Sequence, residues 1–196
     1  MSSDEYDAFE MSFPPNRDLK RIEWRRNLAT LSSSDFSIRE ATMTASDARR
    51  VTDLQGACEP LSIRSVRDNA SMISTQTVLI AEIDETHIGF CVSFPGLQEF
   101  DPLFIQVIGV VPEAQRRGLA TALLHTAAER EPHRDIALAT QDDNLAAQAL
   151  NRRFAHSIGA NIERLHLGTY RDHDLGIIRG MGYRAWIIQR EKRIQS

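Results

Sequence analysis

From Phe36 onward the apolar positions alternate between two periods, every second residue and every third or fourth. Phe36 to Ala41 follows the first period and predicts a strand. Ser46 and Asp47 open a helix through about Cys58, and Pro60 stops it. A second helix is expected from Ile63 to Ile73. Thr77 to Ile83 and Ile88 to Phe94 read as strands joined by the short Asp84-Glu85-Thr86 link, which makes a hairpin. Pro95-Gly96 ends the second strand, and residues 97–102 form a polar loop. Leu103 to Val111 is a long apolar strand, Arg117 to about Arg130 a helix and Ile136 to Thr140 a strand. Leu145 to about Ile158 is the next helix, followed by late strands at Ile162 to Tyr170 and Arg184 to Gln189. The order β-α-α-β-β-β-α-β-α-β-β predicts an α/β domain with one sheet and helices on its faces. No internal repeat is visible.

Residues 1–35 break this pattern and read as an N-terminal extension to a domain at 36–196. Asp4, Glu5, Asp7 and Glu10 make an acidic stretch, expected to be a mobile tail, that ends at Pro14-Pro15. Asn16 caps an expected helix to about Leu31, with Lys20, Arg21, Arg25 and Arg26 making it basic. Such a helix docks on its own domain or on a sister subunit, or it serves as an arm for a substrate or partner. Serines 32 to 34 read as a linker.

Composition narrows the function classes. At 196 residues the chain suits one domain plus an extension, with enough apolar residues (42%) for a core without covalent staples. A net charge of −4 gives no global basic field, so no nucleic-acid partner is expected. No segment reaches the about 20 apolar residues of a membrane span, and Met1 to Tyr6 lacks the basic start of a secretory signal. Cys58 and Cys91 form no metal or redox pair. A cytoplasmic setting follows as the expectation.

Chemistry concentrates in Ile108-Gly109-Val110-Val111-Pro112-Glu113-Ala114-Gln115-Arg116-Arg117-Gly118-Leu119-Ala120-Thr121. An apolar strand runs through a turn straight into a helix. The first amides of a helix lack intrahelical partners and carry the positive end of its dipole, so they suit a phosphate. Gly118 has no Cβ to block close approach, Ala120 is the next smallest choice, and Arg116 and Arg117 add positive charge. The turn lacks the Lys-Ser/Thr ending of a nucleotide P-loop and any G-x-G-x-x-G run. A surface turn capping a helix is the plainer alternative.

Gln115-x-x-Gly118-x-Ala120, after Val110-x-Pro112, resembles the coenzyme A signature of the GNAT superfamily of N-acetyltransferases. The resemblance implies a GNAT-like mixed central sheet with helices on both faces, and acetyl-CoA as cofactor. It implies that amides from Gln115 to Thr121 (Arg116, Arg117, Gly118, Leu119 and Ala120 between them) hold the pyrophosphate. Ile108 and Val110 would meet the pantetheine arm, and a bulge at Gly109 would splay two parallel strands. Asn144, followed by Ala147 and Leu150, is similar to the family's second element, which implies that Asn144 bonds the arm or the backbone beside it; a plain helix cap accounts for it as well. The implied reaction is acetyl transfer to a primary amine, on a small molecule or a peptide, by direct attack.

The departures bear on catalysis. Members often carry a Tyr that protonates the thiolate; the position here is Asn151, which is no general acid. The closing Gly-Phe is replaced by Phe154-Ala155-His156-Ser157, and His156 is a candidate acid or a plain helix-end residue. Two strand positions that carry Glu in some members are Phe104 and Ala139. Glu99 and Asp101 are candidate bases or solvated loop acids, and Gln106 and Gln141 could orient a water. A non-catalytic acyl-CoA sensor of the same fold is the alternative, and a homodimer through the late strands or the N-terminal helix is an expectation. No metal site is expected, since His166 and His173 have no supporting ligand pair.

Overall fold

The computed structural model describes residues 17–33, 35–58 and 60–190. The acidic stretch, Pro14-Pro15, the Asn16 cap and Ser34 lie outside the described residues. Helix α1 spans Arg17–Ala29, followed by β1 (Ser37–Glu40), α2 (Ala45–Ala57), α3 (Val66–Thr75), β2 (Thr77–Ile83), β3 (Thr86–Pro95) and β4 (Leu103–Val110). A 3-10 turn at Pro112–Ala114 leads to α4 (Leu119–Glu129), β5 (Ile136–Gln141), α5 (Leu145–Ser157), β6 (Asn161–Leu165) and β7 (Tyr183–Gln189). The expected order holds from β1 to β7.

The seven strands form one mixed sheet in the order β1-β2-β3-β4-β5-β7-β6. Neighbours pair antiparallel except β4 with β5, which are parallel. Strand alternation sorts the core into two faces. Leu103, Ile105, Ile136, Leu138 and Ile188 join the main cluster, in which Leu54 of α2, Leu123 of α4 and Phe154 of α5 are fully buried. Phe104, Ala137, Ala185 and Ile187 form a second cluster, covered by Leu175 and Ile177 from the segment between β6 and β7.

Local chemistry moves several boundaries. Thr44, not Ser46, caps α2 by accepting from Asp47 N–H at 3.2 Å. Helix α3 starts at Val66 rather than Ile63 because the Ser65 hydroxyl accepts from Asp68 N–H at 3.1 Å; Ile63 is exposed. Strand β6 ends at Leu165 instead of reaching Tyr170. Thr169 N–H closes a turn on His166, Gly168 takes a positive φ of 93°, and the Tyr170 ring packs edge-on against Phe104.

Helix α1 docks on the domain through two side chains. Leu28 is buried, and Trp24 stacks face to face on His87 at 4.6 Å between centroids. The Trp24 indole N–H also donates to the His87 carbonyl at 2.9 Å. Beside His87, on the paired strand β2, Glu82 belongs to an ion network: Arg39 donates twice to Asp47 and twice to Glu82, and Arg50 bonds Glu82 at 2.9 Å. Burial alone would raise the Asp47 carboxyl, but bonds from Arg39 and Thr42 outweigh it and hold the group well below the usual carboxylate range.

His87 gives a pH prediction. Burial, with Arg50 and Arg39 nearby, lowers its pKa from 6.5 to about 3. The folded state keeps the ring neutral while the unfolded chain binds a proton, so this contribution is full above 6.5 and is lost as pH falls towards about 3. Urea denaturation between about pH 7.5 and 5 is expected to show falling stability, and His87→Phe, which keeps an aromatic ring against Trp24, is expected to flatten that slope.

Candidate active site

The site begins with one extra residue. Strand β4 pairs Val107 with Val92 but Ile105 with Ser93, which leaves Gln106 as a bulge. The parallel pairing with β5 ends at Ile105–Leu138, beside that bulge. Beyond it β4 runs on with β3 alone. Val111 N–H donates to Ile88 at 2.9 Å. By antiparallel alternation the backbone groups of Gly109 face β3, and those of Ile108 and Val110 face the side β5 has left.

This corrects the expected bulge at Gly109. Gly109 pairs in register with Phe90, and its role is steric. A Cβ there would lie 2.8 Å from the Phe90 ring and 3.0 Å from Leu61. The glycine lets β4 pack against both.

The turn after β4 is shaped for an anion. Arg116 (φ 65°) and Gly118 (φ 79°) are left-handed on either side of Arg117, an alternation that gathers successive amides into a concavity. The first backbone bond into α4 runs from Ala122 to Gly118, so the amides before it have no helical partner. A Cβ on Gly118 would meet nothing within 4 Å, so the approach is open. Gln115 turns its amide back to donate to the Val110 carbonyl at 3.3 Å. Leu119 is buried in the core and offers only its backbone, while Ala120 and Thr121 are half-buried. The Arg117 side chain departs from expectation: its guanidinium donates to the Ser33 carbonyl in the linker after α1, whereas Arg116 is exposed.

A cavity of about 390 Å³ opens where β4 and β5 part. Gln106, Ile108, Thr140 and Tyr183 are among its lining residues from the sheet, Asn144 and Asn151 from the start and body of α5, Arg64 from the segment before α3, and His173 from the segment between β6 and β7. Asn144 caps α5 by accepting from Ala147 N–H at 3.0 Å. Asn151 is 5% exposed, and its side-chain Nδ2 has no hydrogen-bond partner. An orphaned buried donor facing a cavity is the mark of a group that awaits an acceptor. The segment between β6 and β7 forms the remaining wall. Gln106 Nε2 donates to the His173 carbonyl at 2.8 Å, and a Cβ on Gly176 would sit 2.5 Å from the Gln106 carbonyl.

Three expected catalytic candidates are not brought to this cavity. Glu99 and Asp101 lie in the loop before Leu103, at the opposite end of β4 from the fork. Asp101 Oδ2 accepts from Gln98 N–H at 2.8 Å, and its carbonyl accepts from Arg134, so it holds the loop together. His156 is exposed in the last turn of α5 and lines no part of the cavity. Sequence reasoning missed Arg64 and left His173 and Tyr183 without a place. The signal available was Gly176, whose left-handed φ of 63° marks a close crossing. Cys58 and Cys91 are buried, and burial, with Glu113 adding to it at Cys58, pushes both thiols up to about 12, so neither is set up as a nucleophile. Among the described residues no group of His, Cys, Asp and Glu could hold a metal ion, and no helix is long and apolar enough to cross a membrane.

Residues 47–155 match the acetyltransferase (GNAT) family model. No curated protein matches the chain. A diaminobutyrate acetyltransferase from Paenibacillus lautus, solved with L-2,4-diaminobutyric acid and coenzyme A, has a similar fold. It is 20% identical at a TM-score of 0.62, over 80% of this chain and 95% of that one. The Escherichia coli ribosomal-protein-S18-alanine N-acetyltransferase aligns at 19% identity and a TM-score of 0.55, over 79% and 92%. A Bacillus subtilis acetyltransferase in complex with CoA aligns at 14% and 0.54, over 80% and 99%. At these identities the likeness is one of fold.

The two central glycines separate folding from binding. Gly109→Ala is expected to cost about 1–3 kcal/mol by overpacking against Phe90. Gly118→Ala is expected to cost about 1–2 kcal/mol through left-handed strain alone. Urea midpoints report both, and only Gly118→Ala should weaken coenzyme A binding beyond its effect on stability.

Proposed function

The chain belongs to the GNAT acetyltransferase family, and on that premise we propose that it transfers an acetyl group from acetyl-CoA to a primary amine by direct attack. The observation that carries this reading is the fork: β4 parts from β5 at Gln106 and leaves outward backbone groups and an orphaned amide at one cavity, while the same strand leads on to an open helix start. These residues fit coenzyme A. The amides from Arg116 to Thr121 would hold the pyrophosphate, with Arg116 adding charge from its exposed position. Ile108 and the Val110 N–H would meet the pantetheine arm as a neighbouring strand does, while Gln115 fixes the Val110 carbonyl. Arg117 would contribute through its backbone.

When bound, acetyl-CoA supplies an acyl group activated as a thioester. The chain's own task is to orient that group, polarise its carbonyl and manage two protons. The outward N–H groups next to the bulge suit the carbonyl oxygen in the manner of an oxyanion hole. Asn151 Nδ2 is a donor for the sulfur side: it stabilises a departing thiolate by a hydrogen bond, and water supplies the proton. An attacking amine must be neutral. Among the described residues no Asp or Glu lines the cavity, and His173 is the imidazole on its wall. His173, directly or through a water held by Gln106 or Gln141, takes the amine proton.

A second reading, a non-catalytic acyl-CoA sensor, is favoured by the same lack of a cavity carboxylate and by Asn151 in place of a phenol. Thiol release from acetyl-CoA across a panel of amines separates the two. Turnover with any amine supports transfer; tight coenzyme A binding with no release supports the sensor. For the enzyme, Asn151→Ala is expected to lower kcat about tenfold or more with little change in acetyl-CoA binding. His173→Gln is expected to lower kcat/KM by about a hundredfold with little change in acetyl-CoA binding. Unaltered turnover would move the base elsewhere.

A further inference from the structure

A second cavity, about 660 Å³, lies between α1 and α2. Lys20 and Arg21 line it from α1, and Arg49 and Arg50 from α2, with Asp53 as the one carboxylate on its wall. The chain as a whole carries a charge of −4, so this is a local reversal of sign. Its floor is His87, 7% exposed, whose Nε2 is buried without a hydrogen-bond partner. Trp24 stacks on the face of that ring, which fixes its plane. The Nε2 lies 3.9 Å from Asp53 Oδ2, and Arg21 Nε lies 3.9 Å from Asp53 Oδ1, too far for direct hydrogen bonds. A ligand oxygen placed beside this gap, rather than within it, would reach His87 Nε2 and Asp53 at hydrogen-bond distance. The cavity shares no lining residue with the cavity at the fork, and α1 lies outside the residues 47–155 that match the family.

We propose that this groove is a second binding site, for a small molecule carrying a phosphate group, and that α1 is present to build it. Lys20 and Arg21 of α1 hold the anionic oxygens, while Arg50 stays on Glu82 and Asp47, and the neutral His87 Nε2 donates to one of the oxygens. A phosphate group near neutrality keeps an O–H part of the time, and that hydrogen can go to Asp53. A fully ionised oxyanion such as sulfate leaves Asp53 facing negative charge. This assigns phosphate rather than anions at large. The site does not depend on the acetyl-transfer reading.

The test uses full-length protein labelled with 5-fluorotryptophan. Its two tryptophans give two fluorine resonances, assigned with Trp186→Phe. Inorganic phosphate is titrated at constant ionic strength with excess coenzyme A present, so that the turn at 115–121 is occupied. The expected result is a saturable shift of the Trp24 resonance with an apparent Kd of about a millimolar or below. Sulfate should bind about fivefold more weakly or worse. Lys20→Glu/Arg21→Glu, at two exposed positions, should weaken the phosphate response about tenfold or more while coenzyme A binding stays intact. His87→Phe should weaken it as well. A Trp24 resonance that does not move, that moves equally with sulfate, that moves only without coenzyme A, or that moves unchanged in the double variant overturns the proposal.

Discussion

The structure depends on a single inserted residue in a central strand. Strand β4 is bonded on both edges up to Ile105, and a sheet bonded on both edges has no room for a ligand's backbone. Gln106 breaks that regularity. It shifts the register against β3, and the ladder with β5 ends beside it. The unpaired edge is costly in a buried sheet unless something bonds to it. On the proposed function that cost is offset by a ligand: Ile108 and Val110 would pair with an extended arm, and the turn after them would offer amides to its phosphates.

The walls of the cavity follow from the same residue. Gln106 bonds the His173 carbonyl, and Gly176 comes so close to the Gln106 carbonyl that no side chain fits between them. The long segment between β6 and β7 is therefore fastened to the bulge. Phe104, one residue before Ile105, anchors it by packing against Tyr170 and Leu175 on the second face. Any change in the bulge moves both the cofactor edge and the acceptor wall. The amide of Asn151 enters from α5, a helix whose start is set by the Asn144 cap. On the proposed mechanism the thiol side and the acceptor side would thus rest on separate elements.

Local physics explains what could be read in advance. Strand periods gave β2 to the residue and nearly all of β4, since both have apolar side chains on at least one face and clear turn signals at their ends. The turn before α4 was legible as a shape because Gly118, left-handed at φ 79°, leaves a short-range imprint in the sequence. The bulge was not, because it is a register relation between β4 and β3 and Gln106 looks like any polar strand residue. Glu99 and Asp101 were attractive as loop acids, yet the direction of β4 puts them at its far end. His173 lies in a segment with no period, about seventy residues from the strand it packs against, so only tertiary structure could place it.

Helix α1 is tied to the cofactor turn by short paths. Trp24 bonds the carbonyl of His87, and the next residue, Ile88, accepts the bond from Val111 that starts the turn. From the other side Arg117 reaches to Ser33, just beyond α1. A guanidinium inside an anion-binding turn is thereby spent on the linker of the N-terminal helix rather than on the ligand. Trp24 and Leu28 are the buried apolar side chains of α1 among the described residues, and Arg21 pairs with Asp53 of α2 at 3.9 Å. The N-terminal helix and the turn after β4 are thus joined by two separate hydrogen-bonded paths, one through the backbone of β3 and one through the Arg117 side chain.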